Sequence, residues 1–148
     1  MQVIQHIELG SAQATMTFNS IASTYTDLLV KVSGRSTAAS SAQTMRIKFN
    51  TSDANFVVRR LLGTGSSVQS NAGSYGNEVT LINAANNTAN TFTSTEIYIP
   101  NYAGSANKSF SIDTVTEDNS TTAYQTIYAG LWSQTAVISS IELYLDGR

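Results

Sequence analysis

The feature that most constrains this chain is an alternation of apolar and polar residues with a period of two, which recurs along the whole sequence. In TDLLVKVSG, for example, Leu28, Val30 and Val32 share one face of an extended segment, while Lys31 and Ser33 share the other. The segments TMRIKFN, KSFSID and AVISSIELYL repeat the same pattern. Successive side chains of a β-strand point to opposite faces, so the alternation predicts half-buried strands rather than helices.

About ten short segments carry the strand signal, which is the number and spacing expected of a sandwich or barrel. The remaining segments are 3–9, 14–21, 55–62, 78–84, 94–100 and 123–132. Clusters of Ser, Gly and Asn separate them, and the longest cluster, residues 63–78, is predicted to be a loop. A short helix over TSDANFVVRRLL is the one alternative that the pattern leaves open. With no linker and no internal repeat, the chain predicts one antiparallel, all-β sandwich domain over residues 1–148.

Composition narrows the classes of partner. The 148 residues have a formal net charge of −2, only 12% of them are charged, and they offer no basic stripe for nucleic acid. Without cysteine, the chain has no disulfide, thiol nucleophile or Cys-based metal site. No apolar run has the length of a membrane span, and residues 1–20 lack the features of a signal peptide. We therefore expect a protein made in the cytoplasm that binds neither nucleic acid nor membrane.

Motifs of catalysis are missing from the sequence. The single histidine, His6, lies in the first predicted strand beside Ile4 and Glu8, and no motif supplies a nucleophile or second base. No serine stands in a Gly-x-Ser-x-Gly elbow, and there is neither a Walker loop nor a Rossmann fingerprint. We therefore predict that the protein is not an enzyme and uses no cofactor, with His6 a polar residue on a strand surface.

One acidic group leaves an alternative open. Asp113, Glu117 and Asp118 stand close together in SIDTVTEDNS and could bind calcium with help from Asn119 and backbone carbonyls. Their spacing matches no calcium loop, and a solvated turn explains them equally well. A glycosidase would need two carboxylates that face each other across a cleft, and the sequence does not define such a pair. We therefore predict no metal site.

Five aromatic residues are candidates for a contact surface. Tyr98 and Tyr102 bracket the only proline, and Tyr124, Tyr128 and Trp132 fall on one face of the strand AYQTIYAGLW. If that face is buried, these side chains fill the core. If it is exposed, they form an anchor for a neighbouring subunit or a stacking platform for sugars.

Four blocks of sequence carry recurrent motifs: residues 13–36, 45–67, 90–119 and 121–147. Their most specific parts are EIYIPNY…NKSFSID and AGLWS…ISSI. They resemble a family of tailed-phage virion proteins, frequent among marine and freshwater phages, including those of cyanobacteria. The pattern there runs FxSIPxTYxDLxLxxSxR, RxRFN, IYIPNYxxxxxKS, and Gly-Leu-Trp followed by ITSIxL. Ala22 stands where that pattern tends to carry proline.

The resemblance implies a jelly-roll-like sandwich of about 8–10 strands on a phage particle. Such proteins are capsid decoration (cement) proteins, tail-fibre segments or other virion proteins, and the start of this chain at a methionine favours a free-standing decoration protein. Copies, expected as homotrimers, would lie on the outer capsid surface of the virion and bridge neighbouring subunits of the major capsid protein. We expect residues 1–9 to be an N-terminal edge strand or arm that makes this contact. Its predicted contact residues are Gln2, Val3, Ile4, His6, Ile7 and Leu9.

The alternative function is recognition of host carbohydrate by a tail-fibre or adaptor protein. It would use Tyr98, Tyr102 or Trp132 as stacking faces, with Asn and Ser as polar partners and calcium near Asp118 as a further possibility. Proteins of this family often continue into one more strand after the position of LDG, so closure of the sheet is expected to differ here.

Overall fold

The computed structural model describes residues 1–71, 76–121 and 123–146 and forms two antiparallel β-sheets that pack against each other. The predicted all-β sandwich is therefore confirmed. The strands are β1 Thr15–Phe18, β2 Asp27–Gly34, β3 Ala42–Phe49, β4 Phe56–Gly63, β5 Val68–Asn71, β6 Glu78–Asn83, β7 Thr93–Pro100, β8 Lys108–Thr116, β9 Tyr124–Trp132 and β10 Ile141–Leu145. Within the described ranges there is no helix that is long and apolar enough to cross a membrane.

The strand order is that of a jelly roll with one added pair of strands. The smaller sheet has the order β1-β10-β3-β6, and the larger sheet has the order β2-β7-β8-β9-β4-β5. When β8 and β9 are set aside, the other eight strands, renumbered along the chain, are ordered 1-8-3-6 and 2-7-4-5. This is the double Greek key of an eight-stranded jelly roll. The β8–β9 pair lies between β7 and β4 and widens the larger sheet.

One half of the core is an aromatic cluster that joins the two sheets. Phe49 of β3 lies with its ring centroid 5.2 Å from Phe56 of β4 and 5.4 Å from Trp132 of β9. Phe110 of β8 completes the cluster at 5.7 Å from Phe49, with its ring nearly perpendicular to that of Phe49. Edge-to-face pairs of this kind contribute about 0.5–1.5 kcal/mol each beyond the area they bury.

The other half of the core contains neutral polar residues. Thr95, Thr114 and Thr126 are buried side by side on β7, β8 and β9. The Thr114 hydroxyl lies 2.7 Å from that of Thr95 and 2.7 Å from that of Thr80 in the opposite sheet. Because buried hydroxyls cost little when they are hydrogen-bonded, the many threonines of this chain serve the interior as well as the surface.

Besides the predicted strand 14–21, which is shortened to β1, two predicted strands differ from the observed ones. Residues 3–9 form no strand, because they lie outside both sheets and join no backbone ladder. The predicted strand 136–145 begins only at Ile141, since Asn50 Oδ1 accepts the backbone N–H groups of Ser139 and Ser140 and holds that segment in a loop. The final strand lies between β1 and β3 in its sheet.

The Ser- and Gly-rich segment 63–78 is not entirely a loop. It contains the short edge strand β5, which follows a turn closed by the hydrogen bond from the N–H of Thr64 to the carbonyl of Ser67, 2.9 Å long. The alternative of a helix over residues 51–62 is wrong, because residues 56–63 form β4 between β9 and β5. Residues 72–75 of the predicted loop lie outside the described residues.

Gly130 leaves the space in β9 that the aromatic cluster needs. A Cβ atom at this position would lie 2.2 Å from two ring carbons of Phe110. We expect Gly130→Ala to lower the free energy of unfolding, measured by urea denaturation, by about 1–3 kcal/mol, because the ring must move. Gly63→Ala in β4 is the matched control, since a Cβ there meets only the Gln125 carbonyl at 3.8 Å. Equal losses in the two variants would contradict this account of the core.

Candidate functional site

The N-terminal arm, residues 1–14, is exposed along its whole length and belongs to neither sheet. It runs along the open side of the sandwich, where β1 and β2 are the edge strands of the two sheets. Gln5 Nε2 donates a hydrogen bond to the carbonyl of Asn19, and the Leu145 N–H donates to the carbonyl of Ala14 at 3.1 Å. The arm is therefore attached to the sandwich by few specific contacts.

Two clefts separate the arm from the sandwich. The larger has a volume of about 1280 Å³ and lies between residues 5–14 and the ends of β1, β2, β7 and β10. The smaller, of about 650 Å³, lies between residues 1–6 and the first half of β2, beside Tyr98. Protein interiors rarely contain voids larger than a water molecule, so the arm does not fill the open side as a core element would.

The predicted contact residues of the arm are all at the surface: Gln2, Val3, Ile4, His6, Ile7 and Leu9. Their exposure does not follow a strand alternation, because Val3 is 81% exposed while Ile4 and Ile7 are 39% and 37% exposed. The arm thus has the sequence of a strand without the pairing of one. Its apolar side chains remain available to another surface.

His6 lies at the surface, as predicted, but on the arm rather than on a strand. In the part of the chain that the structure describes, no three His, Asp or Glu side chains are grouped so that they could hold a metal ion.

Most of the predicted aromatic contact surface lies in the core. Tyr102, Tyr128 and Trp132 are 0%, 1% and 2% exposed, and Tyr124 is half-buried at the start of β9. Trp132 belongs to the aromatic cluster, the Tyr128 hydroxyl donates to the Glu78 carboxylate, and the Tyr102 hydroxyl donates to the carbonyl of Ala22. Tyr102, Tyr128 and Trp132 are therefore buried in a single copy of the chain, as the alternative of core packing expects. Tyr98 alone among the five is largely exposed, at 43%, on the outer face of β7.

The polar residues of the recurrent motifs meet at one corner of the sandwich. Asp27, at the start of β2, accepts hydrogen bonds from the Asn101 N–H and the Tyr98 hydroxyl, each 2.9 Å long. The hydrogen bond to Asp27 raises the pKa of Tyr98, because it stabilises the neutral phenol. The buried hydroxyl of Tyr102 donates to the carbonyl of Ala22. Together these bonds attach the β7–β8 loop to the segment that precedes β2.

Lys108 completes the same corner. Its side chain is 2% exposed, and its ammonium donates to the carbonyls of Gly104, Ala106 and Thr135 at 2.6, 2.5 and 3.3 Å. Burial lowers the pKa of Lys108, because the charged form loses water. The carbonyls come from the β7–β8 loop and from the connection between β9 and β10. The motif residues at this corner therefore hold the β7–β8 loop, the segment before β2 and the β9–β10 connection together.

The three acidic residues considered for calcium do not converge. Asp113 lies on the outer face of β8 and accepts a hydrogen bond from Gln125 Nε2 at 2.7 Å. Glu117 and Asp118 each accept the backbone N–H of the residue two positions further on, at 2.7 and 3.0 Å. Hydrogen bonds from the side chain and then the backbone of Ser120 lower the pKa of Asp118. The turn explanation therefore accounts for Glu117 and Asp118.

A buried carboxylate between the sheets was not identified from the sequence. Glu78, the first residue of β6, is 6% exposed and accepts a hydrogen bond of 3.0 Å from the Tyr128 hydroxyl. Arg60 of β4 lies 3.4 Å from the same carboxylate oxygen. Burial raises the pKa of Glu78, although Tyr128 and Arg60 oppose the shift. The alternation did contain a signal, since Glu78 and Ile82 occupy the same face of their strand.

The protonation of Glu78 makes stability depend on pH. Because the pKa of folded Glu78 lies above its ordinary value of 4.5, the folded protein binds this proton more tightly than the unfolded chain. Its contribution to stability is therefore fully present below pH 4.5 and is lost as the pH rises through the raised pKa. The Tyr128 hydroxyl reduces this loss, because it donates to the carboxylate.

We expect Tyr128→Phe to cost more stability at neutral than at acidic pH. The loss should be about 1.5–3 kcal/mol near pH 7 and about 0.5–1.5 kcal/mol near pH 4, where the lost acceptor is uncharged. Urea denaturation at both pH values measures it. Tyr124→Phe, which removes a half-buried hydroxyl with no hydrogen bond among the described residues, is the control and should cost about 0.5 kcal/mol or less at either pH. A pH-independent loss for Tyr128→Phe would show that Glu78 does not ionise in the folded protein.

The geometry defines the class of this protein as an all-β sandwich with the strand order of a jelly roll. No protein-family model matches the chain, and comparisons with curated proteins and with solved structures give no match. The resemblance to phage virion proteins therefore stays a prediction that rests on the motif blocks alone.

Proposed function

We propose that this protein is a capsid decoration protein of a tailed bacteriophage, which binds the outside of the head and bridges neighbouring subunits of the major capsid protein. The observation that carries the proposal is the N-terminal arm. It is exposed along residues 1–14, rich in apolar side chains and loosely placed beside two edge strands. Such a segment suits binding by strand addition, in which backbone hydrogen bonds provide affinity and alternate side chains provide specificity.

The arm gains energy when its residues acquire the partners that they lack in the single chain. On pairing as a strand, Val3, Ile7 and Leu9 would share one face and lose the water that now covers them. Full burial of each would contribute about 1.5–3 kcal/mol from its fully exposed state, and less for the half-exposed Ile7 and Leu9. Copies expected as homotrimers would repeat this contact where capsomers meet, so that modest single contacts add up over the shell.

The surface chemistry agrees with a role in a permanent shell. Only 12% of the residues are charged, and neutral polar side chains can be buried without the cost of desolvating ions. Contacts of this kind depend weakly on salt. The protein would act mechanically, by adding contacts between capsid subunits that resist the pressure of packaged DNA.

The alternative, a tail-fibre or adaptor protein that recognises host carbohydrate, has less support. Of the stacking residues it would use, Tyr102 and Trp132 are in the core, which leaves Tyr98. A single exposed ring beside Asp27 is a smaller platform than the aromatic surface that this function was expected to use.

Removal of the arm tests the proposal directly. We expect deletion of residues 1–9 to abolish cosedimentation with capsids that lack the decoration protein, while thermal unfolding of the sandwich changes little, because the arm belongs to neither sheet. Substitution of Val3, Ile7 and Leu9 by Ser should weaken binding at least about tenfold. The matched control substitutes exposed apolar residues that line neither cleft beside the arm, Val68 and Val137. Undiminished binding by the deletion variant would overturn the assignment of the arm.

The number of copies in purified virions separates the two functions. We expect quantitative mass spectrometry to find a copy number comparable to that of the major capsid protein. A handful of copies per particle would favour the tail and host recognition, and absence from the particle would contradict both.

A further inference from the structure

The outer face of the larger sheet carries an exposed apolar patch on its central strands. Leu61 and Val57 of β4 are 47% and 37% exposed, and Ile127 of β9 and Val115 of β8 are 52% and 39% exposed. Leu61 lies directly beside Ile127 in the ladder, and Val57 lies beside the half-buried Leu131. Contiguous apolar surface of this kind marks an interaction site more often than scattered apolar residues do.

Two opposite charges lie within this patch. On β4, Arg59 projects between Val57 and Leu61. On β8, Asp113 lies beside Ile127 of the neighbouring strand β9. Both are exposed, and neither makes an ion pair within the described residues, although Asp113 accepts a hydrogen bond from Gln125. By contrast, the outer-face pair Lys31 and Glu96 is closed within the chain at 2.7 Å. Among the described residues, the patch therefore presents one cation and one anion that are without an ion pair and apart from each other.

We propose that this face binds the same face of a second copy of the chain about a two-fold axis. β4 and β8 flank β9 on opposite sides, and each lies about 4.8 Å from it. Along the strand direction, Arg59 and Asp113 are separated by two residues, which is about 6.8 Å. The two-fold axis lies in the plane of contact and passes over Tyr128 at an angle to the strands. Rotation about this axis exchanges the positions of Arg59 and Asp113. Arg59 of each copy then faces Asp113 of the other.

The same axis also matches the apolar residues. Rotation about this axis carries the position of Leu61 on β4 close to the position of Ile127 on β9. Leu61 of one copy therefore packs against Ile127 of the other. A two-fold interface requires a surface that is complementary to itself, and here one operation satisfies both the charges and the apolar side chains. The strands of the two copies would cross at roughly 70°, which is nearer to the orthogonal class of sheet packing than to the aligned one.

The area of the face sets the strength of the contact. The three central strands cover about 400 Å² per copy, and the five strands β2, β7, β8, β9 and β4 cover about 670 Å², from their lengths and spacings. The two copies together would bury about 800–1300 Å². The lower value is typical of a weak contact, and the upper value is close to that of the smallest specific interfaces. We therefore expect association at micromolar or weaker affinity, which becomes effective where many copies are held side by side.

This contact is independent of the arm and of any capsid. The arm covers the side of the sandwich at β1 and β2, whereas the patch is centred on β9 at the middle of the larger sheet. A two-fold contact also differs from the one that closes a trimer, and would join copies of adjacent trimers. Solution experiments on the free protein can therefore test it whether or not the proposed function is correct.

Charge exchange provides the test. Sedimentation velocity on the free protein, from about 10 to about 500 μM, should show reversible two-fold association. Asp113→Arg should weaken the association at least about tenfold, because two guanidinium pairs then face each other. Arg59→Glu should do the same, and the double variant Arg59→Glu/Asp113→Arg should restore association, because each pair re-forms with its partners exchanged. Asp53→Arg, at an exposed loop position with the same change of charge, is the matched control and should have no effect.

A second pair of variants tests the apolar part of the interface. Ile127→Ser should weaken the association, whereas Val137→Ser should not, since Val137 is exposed outside this face. Circular dichroism establishes that each variant is folded. The proposal is overturned if the wild-type protein shows no association, if Asp53→Arg weakens it as much as Asp113→Arg, or if the double variant associates no better than the single ones. Association that persists unchanged in all variants of this face would also overturn it, since another surface would then be responsible.

Discussion

The packing of Phe110 across Gly130 is the contact on which both faces of the larger sheet depend. These two residues are direct partners in the β8–β9 ladder, and the ring occupies the space that a side chain on β9 would need. A slip of one residue would move every side chain to the other face of the sheet. The ring contact therefore fixes which residues of β9 enter the core, Tyr128 and Trp132, and which face outward, Ile127 and its neighbours.

The strand pattern was predictable because the alternation and the tertiary burial agree. Met45, Ile47 and Phe49 of β3 face inward as their spacing indicates, and β4 is a strand despite the helix alternative. The prediction of strands failed where the structure of a segment depends on whether a neighbouring strand is there to pair with it. Residues 3–9 have a strand sequence but no ladder within the chain, and β5 is a short exposed strand that pairs with β4 through a Ser- and Gly-rich turn. Local pattern does not specify either outcome.

The candidate site was less predictable than the fold. The arm residues are exposed, and their contact with another surface stays a prediction. The aromatic residues were ambiguous, because spacing gives the shared face of Tyr128 and Trp132 without saying which way it points. The motifs behind the resemblance have structural roles at one corner, where Asp27, Tyr102 and Lys108 hold three connections together. Residues of this kind support an inference about fold more strongly than one about function, since one fold hosts many functions.

The proposed role in capsid decoration would require separate surfaces for the shell and for other copies of the chain. The arm lies at the open side of the sandwich, and the patch around Ile127 lies on the outer face of the larger sheet, so one chain can use both at once. Each contact is weak alone, because the arm is short and the patch is small. When the arm holds copies at fixed positions, however, the second contact becomes intramolecular and gains the advantage of a high effective concentration. Under the proposed function, weak self-association would be an advantage, because trimers joined by strong two-fold contacts would polymerise before they reached the shell.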